Sequence, residues 1–75
     1  MNNVRRKVLR SIIEELEKTK DRLDGVLDAE QCAFDNLSEG LQCTERGEAM
    51  EEAVDVMETA IDSIDEAIGG LEELV

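Results

Sequence analysis

Residues 50–75 read MEEAVDV (50–56), METAIDS (57–63), IDEAIGG (64–70) and LEELV (71–75). Stacked in sevens, the first column is Met50, Met57, Ile64 and Leu71, the fourth is Ala53, Ala60, Ala67 and Leu74, and the fifth is Val54, Ile61, Ile68 and Val75. Acids and small polar residues fill most other places. A heptad repeat with its first, fourth and fifth positions apolar gives a helix with one apolar stripe, wider than a coiled-coil seam. Alanine at three of the four fourth-column positions lets a neighbouring helix approach closely. The spacing predicts a helix over about 45–70, with Gly69-Gly70 fraying or ending it near its last turn.

Working back along the chain, Val8, Leu9, Ile12, Ile13, Leu16, Leu23, Val26, Leu27, Phe34 and Leu37 recur at three- and four-residue steps. A first helix over about 3–36 follows, with Asn2 or Asn3 as its cap. Between the helices, residues 37–44 read as a turn: Asn36 and Gly40 suit helix-ending geometry, and Thr44 can cap the second helix. A short connection makes sequential helices antiparallel neighbours. The expected architecture is all-α, a single domain over 1–75 made of one long antiparallel two-helix hairpin.

Two helices meet along one line, and each stripe here is broader than one neighbour can cover. A chain of 75 residues has difficulty burying enough surface to fold alone, and half-covered stripes return less than ordering the chain costs. The hairpin is therefore expected to associate into a four-helix bundle or larger helical oligomer, a homodimer first among these. The expected interface is Met50, Val54, Met57, Ile61, Ile64, Ile68 and Leu71 with Leu16, Leu23 and Leu27.

The composition sets further bounds. There are 20 acids against 8 bases, a net charge of −12, one aromatic residue (Phe34), no proline and no histidine. This balance argues against direct contact with nucleic acid or an anionic membrane and for a partner with a basic surface. No apolar run approaches transmembrane length, and Arg10 and Glu14 interrupt any signal-peptide core, so a soluble, cytoplasmic protein is expected. Cys32 and Cys43 form no C-x-x-C pair and read as ordinary small side chains in a reducing compartment. No Ser/His or Cys/His arrangement, phosphate loop, calcium loop or metal-ligand motif is present, so neither an enzyme nor a resident metal or cofactor is expected.

Charge is laid out unevenly. Seven of the eight bases lie in the first 22 positions. Arg5, Arg6, Lys7 and Arg10 crowd the start of the first helix, where cations oppose the helix dipole, and Asp62, Asp65, Glu66, Glu72 and Glu73 crowd the end of the second. Side by side in a hairpin, these ends would supply each other's countercharge, with Lys18 near Asp62 and Arg22 near Glu58. The four bases are also a candidate anion site. Residues 24–55 hold ten acids and only Arg46 as a base, a net of −9. That acidic end is a candidate docking surface for a basic groove, through Asp35, Glu39, Glu45, Glu48, Glu51 and Glu52, with carboxylates spaced somewhat like nucleic-acid phosphates.

The stretch Ala33-Phe34-Asp35-Asn36-Leu37-x-Glu39-Gly40-Leu41-Gln42, followed by Glu45-Arg46-Gly47-Glu48-Ala49-Met50-Glu51-Glu52-Ala53, resembles small acidic helical-hairpin proteins encoded by phages and mobile elements of gut and soil gram-positive bacteria. The basic start and the Glu/Ala-rich second helix extend the resemblance over most of the chain. Many of those proteins have Pro where this chain has Ser38, which loosens the turn. The family has no established activity to carry over. Its context implies a phage accessory or host-takeover protein.

Three functions are consistent with these features. The first is a non-catalytic acidic interaction protein that occupies a basic host surface, of anti-CRISPR or anti-restriction type. The second is an oligomeric sponge holding an anionic nucleotide signal through Arg5, Arg6, Lys7 and Arg10. The third is a structural assembly subunit.

Overall fold

A computed structural model describes residues 1–75 and is entirely helical: α1 (Asn3–Asp35), α2 (Glu39–Gln42) and α3 (Glu45–Glu72). Helices α1 and α3 pack along each other as a hairpin, and the molecule is a rod 58 Å long and 15 by 12 Å across.

Each helix starts where a side chain can satisfy its free N–H groups. Asn2 Oδ1 accepts from the Arg5 N–H at 2.9 Å, Ser38 Oγ from Leu41 N–H at 3.4 Å, and Thr44 Oγ1 from Gly47 N–H at 3.4 Å. The end of α1 is closed by a side chain from α2. Gln42 Nε2 donates to both the Phe34 and the Leu37 carbonyls at 3.2 Å, clamping the bend.

Three expectations need correction. Residues 37–44 are not a plain turn, because one helical turn, α2, forms inside them under the Ser38 cap. Gly69 and Gly70 do not end the second helix, which runs through both to Glu72. Two helix-weakening residues, at roughly 1 kcal/mol each, are outweighed by the packing of Ile68 and Leu71 on either side. Finally, Lys18 does not meet Asp62, nor Arg22 Glu58. The single ion pair is Lys20 Nζ to Asp65 Oδ1 at 2.8 Å.

That pair marks the register. α2 sits against the start of α3, so α3 begins beyond the end of α1 instead of level with it. The two helices are displaced by several residues relative to a symmetric hairpin. With 1.5 Å per residue, residues 45–75 span only about 46 Å of the 58 Å rod, so roughly the first eight residues of α1 project past α3. The expected exchange of countercharge fails for the same reason: Arg5, Arg6, Lys7 and Arg10 form no ion pair with any acid.

The bend depends on Gly47. A Cβ there would lie 2.6 Å from the Gln42 carbonyl carbon and 2.7 Å from its Cα. Only a residue without a side chain lets α3 start this close to the end of α2.

The core is thin. Ile13, Val54 and Ile68 are the only buried apolar side chains, at 7, 5 and 6 % exposure, and no side chain is completely enclosed. Leu16, Leu23, Leu27, Met50, Met57, Ile61, Ile64 and Leu71 are half-buried along the seam. Of the residues expected at an oligomer interface, Val54 and Ile68 are thus used up within the hairpin, whereas the others keep part of their surface open.

Candidate functional site

Successive residues of a helix turn by about 100°. Val8, Ile12, Thr19, Leu23 and Val26 therefore share one flank of α1, whereas Glu14, Glu17, Asp21, Asp24 and Asp28 share the other. On α3, Ala49, Ala53, Ala60, Ile64 and Ala67 share a flank, with Val56 at its edge, and Glu51, Asp55, Glu58, Asp62 and Asp65 lie opposite. In an antiparallel pair of right-handed helices, flanks of the same rotational sense fall on the same side. The hairpin consequently has one apolar long face and one acidic long face.

The surface grooves agree with this division. On the acidic side, Glu17, Lys20 and Asp21 from α1 and Asp65, Gly69 and Glu72 from α3 line a shallow groove with Ile68 beneath. On the other side, Val26 and Glu30 share a groove with Ala49, Glu52, Ala53, Val56 and Met57. A second groove on α1, lined by Thr19, Arg22, Leu23 and Val26, continues the apolar face toward the middle of the rod.

Every acid named above on the acidic face is exposed. Lys20 is the base set among them. It is half-buried against α3, and the hydrogen bond to Asp65, reinforced by the charges of Asp65, Asp21 and Asp24, holds its ammonium above the ordinary lysine value. No three carboxylates or thiols converge closely enough to hold a metal ion. The face is a spread of separate charges, suited to contacting an extended surface and not to enclosing a small ion.

The six acids expected at the turn end are all exposed, but they do not form one surface. Asp35, Glu48 and Glu51 lie toward the acidic face. Glu39 belongs to α2 at the tip, Glu45 lies on the outer side of α3, and Glu52 lines the apolar groove with Val26. Reading the sequence by ends missed Glu14, Glu17, Asp21, Asp24, Asp28, Glu58, Asp62 and Asp65, which extend the acidic face along the rod. Their helical phase is the signal that identifies them.

Arg5, Arg6, Lys7 and Arg10 sit on the projecting part of α1. At 100° per residue Arg6, Lys7 and Arg10 fall within about 100° of one another, on the side of α1 that carries Glu14 and Glu17, whereas Arg5 lies on the other flank; none of the four lines a groove. Arg6 donates to the Asn3 Oδ1 at 3.3 Å. Cys32 and Cys43 are both free and exposed. No helix is long and apolar enough to cross a membrane. Comparison with protein-family models, with curated proteins and with solved structures finds no match to this chain.

Proposed function

We propose that the chain is a non-catalytic interaction protein whose acidic long face docks on a basic surface of another protein. The observation that carries this reading is the alignment of exposed carboxylates from α1 and α3 on one side of a rod, with Lys20 the one base ion-paired among them and Arg6 and Arg10 on the same flank only at the free end of α1. Regularly spaced negative charge on a rigid support is complementary to a groove that ordinarily binds a nucleic-acid backbone. Such complementarity speeds encounter and selects basic partners. Together with the resemblance to phage and mobile-element proteins, this supports a host-directed inhibitor of the anti-CRISPR or anti-restriction type. The sponge reading gains nothing comparable, because none of Arg5, Arg6, Lys7 and Arg10 lines a groove that could hold a small ligand.

The test is competition. The immobilised chain is incubated with purified nucleic-acid-binding host enzymes, and duplex DNA is added to those it retains. Displacement by DNA, together with loss of binding in the Glu51→Gln, Asp55→Asn, Glu58→Gln variant at unchanged helical content, is the expected result. Retention unaffected by either DNA or the three substitutions contradicts the proposal.

A further inference from the structure

The apolar face lies opposite the acidic one, and no part of the chain covers it. Val56 is 60 % exposed, Val26 57 %, Val8 55 % and Ile12 38 %. Val26 belongs to both apolar grooves, so the strip is continuous from Thr19 to Ala49. Ile12 and Val8 extend it toward the free end of α1. Over the roughly 46 Å where the two helices lie side by side, a face 15 Å wide offers roughly 700 Å², of the order of the ~800 Å² per partner in a stable interface.

We propose that this face is covered by a second copy of the same chain, turned end for end, so that two hairpins form an antiparallel four-helix bundle with both acidic faces outward. Charge selects this orientation. Each rod has a basic free end, with Arg5, Arg6, Lys7 and Arg10 lacking any acidic partner, and a turn end where residues 24–55 carry a net of −9. A parallel pair would set like ends together, whereas the antiparallel pair sets the basic end of each copy against the acidic end of the other.

Full overlap also gives sensible neighbours. With 1.5 Å per residue over a 58 Å rod, α1 residues that face each other across the two-fold axis have numbers adding to roughly 38. Ile12 then faces Val26 of the second copy, and Glu15 faces its Arg22. Arg5 reaches the end of the groove where Glu30 and Glu52 stand among apolar residues. Those two acids are otherwise out of place on this face, and Arg5 gives them a partner. The bundle does not depend on the acidic-face reading, which uses the opposite side of the hairpin.

The experiment is disulfide trapping with a Cys32→Ser, Cys43→Ser chain carrying either Ile12→Cys or Val26→Cys. Both new positions are exposed, and circular dichroism checks that each variant keeps its helices. Mixed and oxidised, the two variants should form a covalent heterodimer at twice the 8.4 kDa chain mass, at least tenfold in excess of either self-linked species. Predominant self-linking of each variant overturns the proposal. So does failure to link in the mixture, whether sedimentation then gives a monomer or a dimer joined elsewhere.

Discussion

Lys20 Nζ lies 2.8 Å from Asp65 Oδ1, joining α1 to α3 across 45 residues of chain. It is the only ion pair in a protein with 28 charged side chains, 20 acidic and 8 basic. It shows which turn of one helix faces which turn of the other, and in that register the four bases nearest the start of α1 have no partner.

The pair makes stability depend on pH in the alkaline range. The Asp65 hydrogen bond and charge raise the Lys20 pKa in the folded state. A raised folded-state value means the stabilisation is fully present below the ordinary lysine pKa and is lost as pH rises through the raised one. Lys20→Met should therefore unfold at lower denaturant concentration than the parent at neutral pH, and the gap should close above the lysine range. A gap of constant size from pH 7 to pH 12 counts against this role for the pair.

The glycines should respond oppositely to alanine. Gly25 has nothing within 4 Å of an added Cβ and lies in the interior of α1, so Gly25→Ala should stabilise by about 0.5–1 kcal/mol through helix entropy. Gly47→Ala would press into the Gln42 backbone and should destabilise by roughly 1–3 kcal/mol, as overpacking does. Thermal melts of the two variants at equal concentration provide the comparison.

Gln42 is the polar clamp of the bend. Gln42→Ala removes donors to the Phe34 and Leu37 carbonyls, each worth about 0.5–1.5 kcal/mol net. Faster amide exchange should appear in α2 and at the end of α1, while residues near Ile13 keep their protection. Uniform loss of protection along both helices would show that the bend is not a local unit.

Much of this architecture is legible in the sequence, and the illegible parts have physical reasons. The apolar periodicity of residues 50–75 identifies α3, and Asn2 and Thr44 mark helix starts because their side chains fit the capping geometry. Helix α2 escapes detection because Glu39–Gln42 is too short to show a period. Gly47 looks like a merely weak helix residue until Gln42 is seen against it. Register is hidden because it depends on how α2 stacks on α3, so a symmetric turn places Lys18, not Lys20, in the ion pair. The acidic face is legible only after phase and chain direction are combined. Sequence position alone groups Glu52 with Glu51, although they lie on different sides of α3.

Apolar substitutions should separate the hairpin's own core from the outward face. Ile68 is 6 % exposed, and Ile68→Ala should destabilise by about 2–5 kcal/mol. Val56 is 60 % exposed within the hairpin. Val56→Glu should leave helix content unchanged at high protein concentration and raise the dissociation constant for self-association by at least tenfold, or about 1.4 kcal/mol. Equal self-association of the Val56→Glu variant and the parent would place the contact elsewhere.

A rod with only three buried apolar side chains should be half of a folded unit. Sedimentation equilibrium of the unmodified chain at micromolar concentration tests this expectation directly. A mass twice the 8.4 kDa of the chain is expected, with helicity falling as dilution drives the species apart. A single species at the chain mass, with helicity independent of concentration, would contradict it.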